Sequence, residues 1–200
     1  MRKEYRSASI LLLKPLLAMR DTTVVNLTPT VRSYEIFKKL GFKALETEQL
    51  LMAPIANSFT LPGGTYTTDP SEFERHLSEP ERAIHRGLAT SPSVVHLMLR
   101  RGGKHCYLVA TVKRIKRIPM AELHYIGDPD FFWENRALAH VAVLRAMGAV
   151  GLFVDARFAQ GRRVGFTRRL PAKRLYRPAR PDIPPGAIDG LFSELMVLKI

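Results

Sequence analysis

A short β-prone run, a Thr-Pro break and a helical apolar face closed by glycine succeed one another between Val24 and Phe42, and they constrain this chain more than any other stretch. Val24, Val25 and Leu27 favour a short buried strand. Thr28-Pro29 follows, an N-cap with proline at the first helical position, where its missing N–H costs nothing. Val31, Tyr34, Phe37 and Leu40 recur at helical spacing and mark one apolar face. Lys38 and Lys39 suit the negative end of the helix dipole, Gly41 stops the helix, and Phe42 packs back on it. The pattern predicts a helix over 28–40 covering a sheet, with the 24–27 strand in parallel contact with a neighbour.

Composition sets the outer bounds. Two hundred residues with 46% hydrophobic content bury a real core, as one large domain or two small ones. The most apolar run, Ile10 to Leu13, is cut by Lys14 and Pro15 and falls far short of the roughly 20 residues of a membrane span. No signal peptide reads convincingly, and a single cysteine, Cys106, excludes an internal disulfide. A cytoplasmic protein without a metal cluster is the simple expectation. The formal charge of +13 favours anionic partners, or is merely a solvated basic surface.

The 24–42 stretch resembles the end of the GNAT superfamily fold, the acyl-CoA-dependent N-acetyltransferases. In that family the segment commonly reads Asn-x-x-Ala-x-x-Leu-Tyr-x-x-Leu-Gly-Phe. Here the Asn falls on Thr30, the Ala on Ser33, the Leu on Ile36 and the Tyr on Phe37, while Leu40, Gly41 and Phe42 match. Earlier in the chain, Ser7 or Ser9 caps a Leu-rich helix whose free amides suit a phosphate. Pro15 in that helix predicts a kink or a shifted start. The matching place in the family is Arg/Gln-x-x-Gly-x-Gly/Ala, which holds the CoA pyrophosphate. The sequence here reads Arg6-Ser7-Ala8-Ser9-Ile10-Leu11, so Ser9 and Leu11 replace the glycines. The resemblance implies acetyl-CoA or another acyl-CoA as substrate, bound by Arg6, Ser7, Ala8, Ser9, Ile10, Leu11, Thr30 and Ser33. The acceptor amine or hydroxyl is left open. The proton donor to the leaving thiolate is replaced by Phe37, with Tyr34 on the same helix face as a weak substitute.

The same resemblance divides the chain. Residues 1–55 match the C-terminal half of a GNAT domain, with a strand from Lys43 to Ile55. The strand that usually presents a general base would precede residue 1, so the resemblance implies that an upstream segment or a second chain completes the unit, or that those strands were lost. A turn-rich connection, Ala56 to Gly64, leads to residues 65–200. There a polar helical stretch starts at Asp69-Pro-Ser71, with Leu77, Ile84 and Leu88 as its apolar stripe. Val94 to Leu99, a Gly102-Gly103 turn and His105 to Ile118 suggest a hairpin. A strand from Ala121 to Ile126, a helix from about Phe131 to Met147 and a strand from Val150 to Val154 follow. That order is similar to the central GNAT unit, so this second part is expected to be a degenerate GNAT-like domain in a mixed, twisted α/β sheet with flanking helices. Gly127-Asp-Pro-Asp-Phe-Phe132 puts acidic residues where a phosphate would sit.

Isolated residues carry less. Glu122 and His124 share a strand face and fit a base with its partner, a partial metal site, or an ordinary half-exposed pair. Cys106 suits a buried, inert thiol better than a nucleophile. Trp133, beside Phe131 and Phe132, reads as a core anchor. Arg162 to Arg180 carries eight cations without an acidic residue. Its prolines suggest an extended basic loop, and an alternative function follows from it: a non-catalytic module holding nucleic acid or another polyanion. Ile188 to Ile200 reads as a closing strand.

Overall fold

A computed structural model describes residues 13–52, 63–162, 167–193 and 196. Eight strands among them form one sheet: β1 (Val24–Asn26), β2 (Lys43–Met52), β3 (Thr65–Thr67), β4 (Val94–Arg101), β5 (Lys104–Ile115), β6 (Ile118–Ile126), β7 (Leu152–Asp155) and β8 (Thr167–Arg177). Their spatial order is β1-β8-β2-β7-β6-β5-β4-β3. Neighbours are antiparallel throughout except β6 and β7. Residues on either side of the 56–64 connection therefore share one sheet, because β2 pairs with both β7 and β8.

Among the described residues the α-helices are α1 (Lys14–Ala18), α2 (Val31–Lys39), α3 (Pro70–Phe73), α4 (Glu79–Leu88), α5 (Pro129–Glu134) and α6 (Arg136–Met147). Pro15 sits in the first turn of α1, where its ring is tolerated. The cap of α2 is Thr30 rather than Thr28. Its hydroxyl accepts from the Ser33 amide at 3.1 Å, so Pro29 falls before the helix. Gly41, at φ +88°, turns the chain after α2 as only glycine does without strain. The expected parallel contact of the 24–27 segment is corrected: β1 runs antiparallel to β8, with Val25 opposite Tyr176.

Three further expectations change. The 131–147 helix is two helices with Asn135 at their junction, where the Asn135 side chain donates to the Phe131 carbonyl. The strand expected to run through Ile118 turns at Lys116-Arg117, both with positive φ, so β5 and β6 form a second hairpin. Where it is described, over 188–193, the expected 188–200 closing strand is irregular chain with turns and bends, and residues 194, 195 and 197–200 lie outside the described residues.

Side chains alternate across the sheet, and its two faces differ in kind. On one, Leu97, Leu99, Leu108, Ala121, Leu123, Leu152 and Val154 meet Phe132, Leu138 and Ala142 of α5 and α6 in the main apolar core. Helix α2 covers the same face further along, with Tyr34 and Phe37 packed near Leu175, Phe42 and Val24. The opposite face holds a smaller apolar cluster, Phe73, Leu77, Met98, Tyr107 and Val109, beneath α3 and α4. Between that cluster and β8 the face is polar and charged.

Candidate functional site

The parallel seam between β6 and β7 is short. Two registered pairs, Ala121 with Leu152 and Glu122 with Phe153, join strands that continue to Ile126 and Asp155. Beside this fork β6 bulges: Ala110 faces Leu123 and Val109 faces Tyr125, so His124 is the extra residue. A bulge of this kind re-aims side chains locally, and it leaves His124 on the charged face with Glu122, where its Nε2 lies 2.8 Å from Thr111 Oγ1.

Glu122, 3% exposed, is the hub of that face. Its Oε2 accepts from Lys113 Nζ at 2.7 Å, and its Oε1 accepts from Arg174 at 2.7 Å and Gln49 at 2.8 Å. Arg174 also lies 3.0 Å from Asp155, whose other oxygen is 3.0 Å from Arg157. Glu46 completes the set, accepting from the amides of Thr47, Glu48 and Arg157. Three carboxylates, Glu46, Glu122 and Asp155, thus balance three cations, Lys113, Arg157 and Arg174. Such balance is what makes buried charge tolerable. Lys113 additionally lies over the Phe153 ring, 4.3 Å from its centroid.

The segment after β8 seals this face. Ile188 packs on Leu27, Leu45 and Tyr176. The Gly190 amide donates to the His124 carbonyl, and Leu191 and Met196 reach the Tyr107 cluster. A Cβ on Gly190 would stand 3.1 Å from His124 Nδ1, so any larger residue there would push against the imidazole.

Burial alone would raise the Glu122 pKa, but Lys113 and Arg174 outweigh it and hold the carboxyl down at about 2. For His124, burial and the neighbouring Arg174, Lys113 and Arg157 lower the imidazole to about 4, with Glu122 opposing. Asp155 is pushed up by burial, with Arg174 and Arg157 acting against it. A general base works best with a pKa near the operating pH. Glu122 is committed to its partners and His124 sits well below that range. The pair read from the sequence is therefore a sealed structural centre rather than a half-exposed one. Gln49, Asp155 and Arg174 were missed by sequence reasoning. Their one signal was a buried-strand pattern carrying a single polar residue, as in Leu152-Phe-Val-Asp155.

Of the residues assigned to acyl-CoA, Thr30 and Ser33 lie elsewhere. Arg6, Ser7, Ala8, Ser9, Ile10 and Leu11 are outside the described residues. Thr30 and Ser33 sit together at the N-terminus of α2, each hydroxyl engaged with the other residue. Tyr34 is buried, its ring flanked by Lys173 at 5.1 Å and Lys38 at 5.8 Å. Phe37 packs edge-on against Phe42, 4.8 Å between centroids. Because Leu175 and Arg174 are consecutive in β8, α2 lies across the sheet from the charged cluster. The structure does not bring Thr30, Ser33 and Tyr34 together with Glu122 and His124.

The turn before α5 is acidic in space as well as in sequence. Asp128 Oδ1 accepts from the Phe131 amide at 2.9 Å, filling a donor that an anion would use, and Asp130 pairs with Arg162. Trp133 is buried and donates to the Phe158 carbonyl at 2.8 Å. Burial pushes the Cys106 thiol up to about 12, where it is neither nucleophile nor ligand at neutral pH. Among the described residues no His, Cys, Asp and Glu side chains form a metal-holding group.

The expected basic loop at 162–180 is corrected where it is described. Residues Thr167–Arg177 are β8, hydrogen-bonded between β1 and β2. Arg169 pairs with Glu48, Arg174 lies in the buried cluster, and Arg180 pairs with Asp182. Arg177 donates to the carbonyls of Leu16, Leu17 and Met19. Of these cations Arg174 is buried inside the fold, while the Arg169 and Arg180 pairs stay at the surface.

Among the described residues no helix is long and apolar enough to cross a membrane. No family model and no curated protein sequence matches this chain. Its structure is similar to that of a GCN5-related N-acetyltransferase from Anabaena variabilis ATCC 29413, at 13% identity and a TM-score of 0.49. That match covers 88% of this chain and 52% of the other, so the chain spans about half the length of the structure it resembles.

Proposed function

We propose that this chain is a GNAT-type, acyl-CoA-dependent acyltransferase unit that is catalytically weak by itself. The observation that carries the reading is the fork: an antiparallel run β3-β4-β5-β6, a helical crossover, and a parallel β7 joined to β6 by two residue pairs. The Thr30-capped helix ending in Leu40-Gly41-Phe42 supports it from the sequence side. Acyl-CoA binding is assigned to Thr30 and Ser33 at the start of α2, with Arg6 to Leu11 supplying the pyrophosphate contacts. The acceptor is an amine or hydroxyl of unspecified structure.

Weakness follows from the available acid–base groups. Phe37 cannot donate a proton, Glu122 is held at about 2 and His124 at about 4. General acid–base groups are each worth about 10²–10⁴-fold, so a unit in which neither Phe37 nor the Glu122–His124 pair takes these roles runs far below ordinary rates.

Calorimetric titration with acetyl-CoA, combined with thiol release over a panel of amines, tests this. The expected result is binding that Arg6→Glu abolishes, with turnover far below 1 per second. Turnover of about 1 per second or faster would remove the claim of weakness. Absence of any binding heat would remove the acyl-CoA assignment itself.

A further inference from the structure

At the far edge of the sheet, two strands beyond the fork, a cleft of about 580 Å³ opens between the β4–β5 turn and the start of β3. Its chemistry is one-sided. Arg100, Arg101, Lys104, His76 and His105 line it, and among the described residues no carboxylate does. Arg100 donates to the Glu72 carbonyl, yet its Nε is buried without a partner. Arg101 is steered by Asn135, whose side-chain oxygen accepts from Nη1 at 3.0 Å. Lys104 and His105 follow Gly102-Gly103, whose φ values of +56° and +76° fold the turn back over the cleft. Opposite, Gly63 at φ +65° lies against the Arg101 guanidinium, where a Cβ would stand 3.4 Å from Nη2.

The field there is uncompensated. His76 is lowered by desolvation and then by Arg100, Arg75 and His105, all of them positive or proton-accepting neighbours. Like charges held together without counter-charge favour an anion. Two guanidinium forks, an ammonium and glycine turns that admit close backbone approach match the tetrahedral oxygens of a phosphate. The volume falls within the roughly 300–1,000 Å³ range of small-molecule sites, and the lining converges on a pocket instead of tracing a stripe.

We propose that this cleft binds the phosphate group of a small phosphorylated ligand. The assignment is independent of the acyl-CoA reading, since the cleft is built from the ends of β3, β4 and β5 and not from the β6–β7 fork.

The test is an amide-resolved NMR titration of the full chain with inorganic phosphate and pyrophosphate, with acetate and a short oligothymidylate as comparison anions. Saturable shifts confined to residues 101–105 and 63–65 are expected, with an apparent Kd of order 1 mM for phosphate. Pyrophosphate should bind more tightly and acetate more weakly. Lys104→Gln should weaken phosphate binding by about tenfold, and Arg101→Gln should do the same. Arg169→Gln, on β8, should leave it unchanged. Lys104 is exposed, so its variant folds and keeps the comparison meaningful should Arg101→Gln not. Absence of saturable shifts at these amides up to about 10 mM phosphate overturns the proposal. So does equal response to acetate, or a response to oligothymidylate alone.

Discussion

The Arg174 guanidinium lies 2.7 Å from Glu122 and 3.0 Å from Asp155, so one side chain of β8 reaches over β2 to both strands of the fork. Its removal leaves two buried carboxylates short of a donor. Arg174→Ala should therefore cost about 3–5 kcal/mol, read from the midpoint of urea unfolding. A loss below about 1 kcal/mol, the value of an exposed pair, would mean that the cluster is hydrated.

The imidazole of His124 should make stability fall on mild acidification. Its folded pKa of about 4 lies below the ordinary 6.5, so the unfolded chain takes up the proton first. The contribution is complete above about pH 6.5 and is lost as pH falls toward 4. Between pH 7 and pH 5 this amounts to about 2 kcal/mol. His124→Gln should flatten that part of the stability profile. An unchanged slope would assign the effect to other groups, such as His96, which burial and His85 also lower to about 4.

Glu122 adds to the loss at lower pH. Held at about 2 against an ordinary 4.5, its carboxylate stabilises the fold above about pH 4.5, and that support goes as pH falls through 2. Glu122→Gln should weaken the protein at pH 7, and the difference from the parent should shrink below pH 4. A constant difference across that range would contradict the assignment.

Cys106 is 1% exposed and its thiol is raised to about 12. It should resist a thiol-specific disulfide reagent at pH 8 in the native state and react completely in denaturant. Rapid native labelling would require opening of the β5–β6 region.

The α2 cap separates structure from ligand. Thr30→Ala should cost about 1 kcal/mol through loss of the Ser33 amide's acceptor, whereas Thr30→Ser should restore it. If Thr30 also meets acyl-CoA, the alanine variant loses affinity and the serine variant regains it. Equal affinities in all three proteins would confine Thr30 to capping.

Local signals in the sequence reached real features. The Val31–Phe42 period, the Gly41 stop, the Gly102-Gly103 hairpin and the buried Trp133 were legible because each rests on spacing or on glycine's access to positive φ within a few residues. Strand β8 was not. Pro171 and the surrounding arginines read as loop, yet Pro171 pairs with Glu48 beside a register shift, where a missing amide is tolerated. The alternation in Ala121-Glu122-Leu123 told that Glu122 would share a face with other polar groups, but alternation is blind to what covers that face. Water or burial was decided by β2 and β8 entering the sheet beside β7 and by the segment around Gly190 closing over His124. Those contacts join positions 50 to 130 residues apart in the chain, Gln49 to Glu122 and Glu46 to Arg174 among them. Periodicity fixes which way a side chain points; only the packed chain supplies the partners that turn an exposed acid into a buried one.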